Sequence, residues 1–472
     1  MTIRRHAALW GGPVGFALAW ALIPAGEGGF DGALAGTAWW MLWWWIGGAA
    51  PIGATSLLPL ALFPLCGVMD MTAAAAPFGS RFIWLFLGGF VLAIALERHH
   101  LHRRFALILL HGLGGGPRRT LVGFMLATAL LSMWISNTAT TLMMLPMAAA
   151  VLGLLEEQGG SVRWGNALIL GIAYSANVGG MATLVGTPPN AALAGVASDR
   201  FGVDIGFVEW MAVGLPVSMV LLLAVFLMLV WRYAVPTREG EGGGEVILRE
   251  LKALSAMASA EKRVLFLFGA TAALWVFRAP LNVLLTGTGI ALNDTSIAVA
   301  AAIACFAWRD GDQGRPLLAA EDLKRLPWDI LLLFGGGLAL AKGFEAAGWA
   351  ASIADGATEW GWPIAGMMVA VTVMGLFATE LMSNLALTLL LTPVVGAMAI
   401  GMNVHPLHFA VPVTLASSCA FMLPMATPPN AIVFSSGRIS MAEMARTGLL
   451  LNAVACALVL LMWWCLAPDA WW

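Results

Sequence analysis

Apolar stretches follow one another along almost the whole chain, with only short polar breaks between them. They cover residues 8–24, 38–68, 82–96, 105–113, 119–152, 165–185, 190–197 and 208–235, then 264–285, 295–308, 327–343, 363–400, 407–435 and 446–467. One membrane crossing takes about 20 residues. Several stretches are longer, so they hold two crossings or a hairpin that enters and returns on one side. Others are too short to cross and suit the interface. A soluble domain carries roughly a quarter of its residues charged, whereas here 11% of 472 residues are charged and mean hydropathy is +0.86. The pattern predicts an all-α polytopic protein of the inner or plasma membrane, with the lipid bilayer as its main partner.

The net charge of -2 gives no reason to expect a nucleic-acid partner. The 22 Trp outnumber two Tyr, and many lie near the ends of apolar runs, as at Trp39, Trp40, Trp43, Trp44, Trp45, Trp463, Trp464, Trp471 and Trp472. Indoles favour the headgroup layer, so these read as interfacial belts. The five cysteines, Cys66, Cys305, Cys419, Cys456 and Cys465, lie in apolar runs without CxxC spacing and read as small core residues. Residues 1–26 mimic a signal peptide, with Arg4 and Arg5 before an apolar run. No clean small-x-small cleavage site follows, so an uncleaved first helix is expected.

The long hydrophilic gap, Pro236 to Arg263, contains Gly240 and Gly242 to Gly244, then an amphipathic run from Val246 to Ala258. A linker with a surface helix is expected. Basic residues cluster before the first span (Arg4, Arg5), around residues 103–119 (Arg103, Arg104, Arg118, Arg119) and in this gap (Arg238, Arg249, Lys252, Lys262, Arg263). The last six residues have no Lys or Arg. The positive-inside rule puts the N-terminus and the gap in the cytoplasm and the C-terminus outside. That requires an odd number of crossings, about 11.

The chain also repeats itself. Ile83-Trp-Leu-Phe-Leu-Gly-Gly89 matches Ile330-Leu-Leu-Leu-Phe-Gly-Gly336, and Ser136-Asn137 matches Ser383-Asn384. Ala139, Thr141, Leu142 and Pro146 match Ala386, Thr388, Leu389 and Pro393, and Thr187-Pro-Pro-Asn-Ala191 matches Thr427-Pro-Pro-Asn-Ala431. Shared apolar composition accounts for Gly-Gly among Leu and Phe, but not for a five-residue match with the motifs in the same order. Residues 40–235 and 264–465 form a duplicated unit, as in many secondary transporters. An odd crossing number fits two halves of opposite topology.

Each half puts Ser-Asn inside a long apolar segment. Such side chains compete with the helical backbone for hydrogen bonds, and a double proline removes two donors and cannot continue a helix. Both motifs therefore mark helix breaks at membrane depth. Broken backbone survives there only against protein or a watery cavity. At such breaks, carbonyls, hydroxyls and Asn oxygens can hold a hard cation such as sodium, and hydroxyls, amides and N–H groups can hold a carboxylate. A lone Ser-Asn would read as packing glue between helices; two copies, each followed by Thr-Pro-Pro-Asn, point to a binding site.

These residues resemble the divalent anion/sodium symporter family of dicarboxylate and citrate carriers. The similar stretches are Leu131-Ser-Met-Trp-Ile-Ser-Asn-Thr-Ala-Thr-Thr141, Gly186-Thr-Pro-Pro-Asn190, Thr379-Glu-Leu-Met-Ser-Asn-Leu385 and Cys419-Ala-Phe-Met-Leu-Pro-Met-Ala-Thr-Pro-Pro-Asn430. The resemblance covers nearly the whole chain. It implies inverted repeats, re-entrant hairpins tipped by Ser-Asn, unwound helices at Thr-Pro-Pro-Asn, an elevator movement and a homodimer. It implies scaffold parts at 1–115 and 264–360, transport parts at 116–235 and 361–472, and a cytoplasmic linker at 236–263. Na+ would be the coupling ion. One sodium would lie among Ser132, Ser136, Asn137 and the carbonyl of Gly186. A second would lie among Thr379, Ser383, Asn384 and the carbonyl of Ala426. Substrate carboxylates would meet Ser136, Asn137, Thr138 and Thr187 on one side, and Ser383, Asn384, Leu385, Thr427 and Pro428 on the other. The family's second motif is often Ser-Asn-Thr. Leu385 offers no hydroxyl and more bulk, which leaves room for a bulkier or less charged anion than a simple C4 dicarboxylate.

Three smaller features compete for function. His99, His100 and His102 invite a metal but sit beside Arg103 and Arg104 at the edge of a span, as an interfacial arm would. His111-Gly-Leu-Gly-Gly-Gly-Pro117 lacks the Lys-Ser/Thr of a phosphate loop and reads as a hinge. Arg278, Lys342 and Glu380 lie in or beside apolar runs, where a charge is a functional hypothesis; the first two could instead snorkel, and Glu380 could be structural or a proton site. The chain thus reads as a carrier and not an enzyme, since no HExxH, GxSxG or paired-Asp constellation lies in the spans. Sodium symport is expected; the alternative is a sodium-independent exchanger or proton-coupled carrier for carboxylate, sulfate or another oxyanion.

Overall fold

The computed structural model describes residues 2–24, 29–113, 116–157, 163–237, 242–311 and 314–470. Trp471, Trp472, Gly114, Gly115, Arg238 and Gly240 lie outside the described residues. The described chain is built from helices, with one isolated bridge pairing Arg309 with Pro316. Two compact units form. One comprises Met1–Phe86, Ala191–Ile205 and Pro327–Ser417; the other comprises Leu87–Asn190, Gly206–Leu326 and Ser418–Trp472. Each draws on both halves of the repeat.

In the first unit, helix Thr2–Leu22 packs along Asp31–Gly47. Glycines 11, 12 and 15 leave no side chain in the way of the indoles of Trp39, Trp40 and Trp43. Trp39 Nε1 donates to the Gly11 carbonyl (3.0 Å) and Trp44 Nε1 to the Leu9 carbonyl (2.9 Å). With Trp43 Nε1 on the Ala7 carbonyl (3.3 Å), three of the indoles expected at headgroups bond a neighbouring helix, whose glycines let the rings approach its backbone. Helix Trp328–Ala346 carries the second Gly-Gly pair. A Cβ on Gly336 would stand 2.1 Å from the Ser56 carbonyl, so that glycine is dictated by backbone approach, not by composition alone.

In the second unit, Gly88 lies against the backbone of Ala298 in the same manner. The central gap forms helix Gly242–Ala253, shorter than the expected run to Ala258. Ala258 instead precedes helix Ser259–Val276, its N–H bonded to Glu261 Oε2 at 3.2 Å. Helix Leu101–Leu113, where an interfacial arm was expected, is tied to this stretch by Arg103–Glu250 (2.6 Å) and Arg104–Glu261 (3.0 Å).

Among the described residues, Met71–Arg98, Phe207–Tyr233, Asn384–Gly401 and Met441–Leu466 are long and apolar enough to cross a membrane. Ser259–Val276 with Arg278–Leu284 makes a fifth candidate, bent by 74°. Other apolar helices, such as Ile364–Ala378 and Leu407–Ser417, are shorter because polar motifs interrupt them. Of the cysteines, Cys305, Cys419 and Cys456 are buried as expected, while Cys66 is half-buried and Cys465 exposed. Trp463 is buried and Trp464 exposed.

Candidate functional site

All four repeated motifs fall at helix breaks. Pro117–Ser132 stops four residues before Asn137–Glu157 begins, and Ile364–Ala378 stops before Asn384–Gly401. Arg163–Gly180 gives way to Pro188–Phe201, and Leu407–Ser417 to Pro428–Phe434. Ser136 supports its restart by accepting the Ala139 N–H on Oγ (3.2 Å). Thr427 does the same for the Asn430 N–H (3.3 Å). These are the side chains that favour caps over helix interiors.

At the first Ser-Asn break, fully buried Ser132 places Oγ 2.6 Å from Asn137 Oδ1 and 2.7 Å from the Ala176 carbonyl. Opposite stands Gly180, where a Cβ would lie 2.7 Å from Asn137 Oδ1 and 3.2 Å from the Gly186 carbonyl. Ser132, Asn137 and the Gly186 carbonyl thus converge around a glycine that leaves them room. Ser136 sits at the helix start beside them; Ser136 is exposed and Thr138 half-buried. Thr187 is buried in the neighbouring break.

The second Ser-Asn break reproduces this arrangement. Thr379 Oγ1 lies 2.7 Å from Asn384 Oδ1 and 2.7 Å from the Ser417 carbonyl. Thr388 Oγ1 donates to the Asn384 carbonyl at 2.9 Å, as Thr141 Oγ1 does to the Asn137 carbonyl at 2.8 Å. Ser383 and Asn384 are half-buried, whereas Leu385 is buried at 4% exposure. Ala426, Thr427 and Pro428 belong to the other compact unit, in the second Thr-Pro-Pro-Asn break.

The Asn of each Thr-Pro-Pro-Asn motif has a role the sequence did not reveal. Asn190, fully buried, donates from Nδ2 to the carbonyls of Gly180 (3.1 Å), Met181 (3.3 Å) and Thr183 (2.7 Å). Asn430, also fully buried, donates to those of Ala420 (3.0 Å) and Leu423 (3.1 Å). In each copy the amide reaches back ten and seven residues to carbonyls freed by the unwinding, which satisfies backbone that a helix would otherwise have paired. Trp210 Nε1 on Met181 O, Ser218 Oγ on Val178 O and Tyr174 Oη on Phe421 O complete the bracing. Asn177, at 2% exposure, donates from Nδ2 to Thr427 Oγ1 (3.1 Å). Asn177 is one of two amides in the apolar run 165–185, and the one that lies deep within it, Asn166 standing at its start.

The competing features resolve differently. The His99 ring bonds the Leu317 carbonyl through Nε2 (2.9 Å) and the His102 ring the Leu96 carbonyl through Nδ1 (3.1 Å). Among the described residues no three His, Cys, Asp or Glu stand together as metal ligands. Arg278 pairs with Asp294 (2.9 Å) and Glu209 (3.4 Å), and Lys342 Nζ donates to the Ala73 carbonyl (3.3 Å). Glu380, next to Thr379, is 3% exposed.

What the arrangement can do chemically follows from proton counting. A hydroxyl has one proton, yet Ser132 and Thr379 each face two oxygens at hydrogen-bond distance. Such oxygen-rich clusters at unwound backbone suit a hard cation.

A family model described as the sodium:sulfate symporter transmembrane region matches residues 14–472. The chain is 38% identical over 448 residues to the sodium-dependent dicarboxylate transporter SdcS of Staphylococcus saprophyticus, covering 91% of this chain and 85% of that protein. It is 37% identical over 443 residues to SdcS of Staphylococcus aureus strain USA300, covering 91% and 84%. Among solved structures, the Alcanivorax borkumensis YdaH transporter superposes with a TM-score of 0.57 at 15% identity, covering 86% of this chain and 88% of that one. Neisseria gonorrhoeae MtrF gives 0.58 at 14%, covering 85% and 83%. At these identities the two structures speak to fold alone.

Proposed function

Because the chain belongs to the sodium:sulfate symporter family, we propose that it is a secondary transporter that moves small dicarboxylate anions across the membrane together with sodium. The observation that carries this reading is the twice-built cluster of a hydroxyl, an Asn oxygen and a backbone carbonyl, at Ser132–Asn137–Ala176 and Thr379–Asn384–Ser417. One proton among three neutral oxygens leaves lone pairs without a donor, and a sodium ion would take them as ligands. The dicarboxylate follows from the relatives' names.

In this reading, the first sodium takes Ser132, Ser136, Asn137 and the Gly186 carbonyl. The second takes Thr379, Ser383, Asn384 and the Ala426 carbonyl. Ser136, Asn137, Thr138 and Thr187 hold one end of the substrate; Ser383, Asn384, Leu385, Thr427 and Pro428 hold the other. Residues 116–235 and 361–472 form a mobile part that carries substrate past a scaffold of 1–115 and 264–360 in an elevator movement. The protein works as a homodimer of inverted repeats with about 11 crossings, its N-terminus cytoplasmic and C-terminus outside.

A second reading rests on Leu385 and on the word sulfate in the family's description. The substrate would then be another oxyanion, carried with sodium or by exchange. One experiment separates the two. Liposomes containing the protein are given labelled succinate, citrate or sulfate under an inward sodium gradient, and again with potassium. Sodium-driven succinate uptake lost in Asn137→Ala and Asn384→Ala supports the first reading. Uptake that ignores sodium and requires trapped internal anion overturns it.

A further inference from the structure

We infer that Asn177 is a positioning residue that turns the Thr427 hydroxyl into a dedicated donor for a substrate anion. The inference rests on the reading of this protein as a divalent-anion carrier and names a residue that no motif singled out.

A threonine hydroxyl offers one donor and two acceptor directions. At Thr427 two N–H groups aim at Oγ1: Asn177 Nδ2 at 3.1 Å and the Asn430 backbone N–H at 3.3 Å. With both acceptor directions taken, only the proton remains, and no described group accepts it. Thr427 is 4% and Asn177 2% exposed, so water has little access to either. A hydroxyl held this way repels a cation, which needs the occupied lone pairs. It fits an oxygen that only accepts, such as that of a carboxylate or sulfate.

Among the described residues the arrangement has no counterpart in the other half. At Thr187 the Asn190 N–H bonds the backbone carbonyl instead (3.2 Å). Ser417 stands 240 residues after Asn177, as Thr427 does after Thr187. Its Oγ donates to the Thr414 carbonyl (2.7 Å) and meets Thr388 Oγ1 (2.9 Å). The anion is therefore anchored more strictly at one end than at the other.

The test measures uptake of labelled succinate, or of sulfate if the wild type carries that instead, in liposomes at varied anion and sodium. The proteins are wild type, Asn177→Ala, Asn177→Asp, Thr427→Ala and the Ala/Ala double variant. A hydrogen bond to a charged group is worth about tenfold or more in affinity. Asn177→Ala and Thr427→Ala should each raise KM by about that factor, and the double variant should be no worse than Thr427→Ala alone. The sodium half-saturation should stay within about twofold, since a hydrogen bond to the anion alone is lost. Asn177→Asp keeps the shape but accepts the Thr427 proton, so it should do at least as much harm. A wild-type KM in Asn177→Asp would overturn the inference, as would single losses that multiply in the double variant. Melting in detergent checks that each variant folds, and the isosteric Asp variant decides if the Ala variant does not. A wild type that carries neither anion removes the functional reading and this inference together; wild-type uptake with multiplying losses removes the inference alone.

Discussion

Ser132 Oγ and Asn137 Oδ1 lie 2.6 Å apart, five residues from each other across a helix break, and the same hydroxyl is 2.7 Å from the Ala176 carbonyl. Thr379 and Asn384 repeat the pair at 2.7 Å, with the Ser417 carbonyl at 2.7 Å from the hydroxyl. The methyl of Thr379 is immaterial to this geometry, but the hydroxyl is not. Thr379→Ser should therefore keep the sodium half-saturation of uptake near wild type. Thr379→Val and Ser132→Ala should each raise it by about tenfold, the value of one hydrogen bond or ligand to a charged group. Sodium titrations of uptake check this, and a Val variant with unchanged sodium dependence would remove Thr379 from the proposed site.

Gly180 shapes the first cluster by having no side chain. A Cβ there would stand 2.7 Å from Asn137 Oδ1, closer than real contacts allow, and 3.2 Å from the Gly186 carbonyl. Gly180→Ala should push the Asn137 amide aside and weaken sodium binding by about tenfold or more, on the scale of one lost bond to a charged group. Sodium-induced thermal stabilisation in detergent measures this without any transport assay. Unchanged stabilisation would mean that Asn137 does not hold the ion.

The bracing asparagines are a matter of stability. Asn190→Ala takes the amide donor from three buried carbonyls; Met181 keeps Trp210 Nε1 and Thr183 keeps the Gly186 N–H (3.4 Å), so the Gly180 carbonyl is the one left unpaired, at roughly 1–3 kcal/mol. Asn430→Ala takes it from two, of which Leu423 keeps the Ala426 N–H (3.2 Å). Both should lower the melting temperature by several degrees, Asn190→Ala more than Asn430→Ala. Asn190→Asp should be worse than Asn190→Ala, because its oxygens would face carbonyl oxygens in a buried site. An Asp variant as stable as wild type would show that the amide donors are dispensable.

The breaks themselves were legible from the sequence, because Pro188, Pro189, Pro428 and Pro429 cannot continue a preceding helix and can only open a new one, and the repeat puts them in matching places. What braces them was not legible. Asn190 was visible as part of a motif, but its bonds to residues seven and ten positions earlier depend on the path of unwound backbone. Asn177 meets Thr427 across 250 residues, a pairing that no periodicity encodes. The packing of the Trp residues was hidden for a related reason: amphipathic rings suit the interface and a glycine-lined helix alike, and that Gly11, Gly12 and Gly15 stand opposite them shows only in three dimensions.

His102 gives a pH dependence of definite sign. Burial, opposed by a bond to the Leu96 carbonyl and reinforced by repulsion from His100, Arg103 and Arg325, leaves its pKa below the ordinary value of about 6.5. The unfolded chain then takes up the proton first as pH falls. Stability attributable to His102 is intact above about 6.5 and is lost as pH drops from there toward the lowered folded value. Melting in detergent between pH 7.5 and 5 should show a decline that His102→Gln makes shallower. A decline of the same steepness in His102→Gln would place the titration elsewhere, with His405, also lowered by burial and by His408, the next group to replace.

Leu385 decides how the second hairpin treats the anion. It occupies the place that Thr138 holds in the first half, yet it is buried at 4% exposure while Thr138 is half-buried. Leu385 is the second residue of helix Asn384–Gly401, so no earlier helical turn supplies a carbonyl for a threonine hydroxyl, and Leu385→Thr should cost the lost apolar contacts while leaving the hydroxyl for the anion. If the leucine simply deprives a carboxylate of one donor, Leu385→Thr should lower KM for succinate by about tenfold and leave the sodium half-saturation alone. If its bulk instead sets the size of the anion, the same change should shift preference toward citrate over succinate at constant sodium affinity. Competition of unlabelled citrate and sulfate against labelled succinate distinguishes the two. Unchanged competition for both would assign Leu385 to packing and leave selectivity to Thr427 and the Ser-Asn pairs.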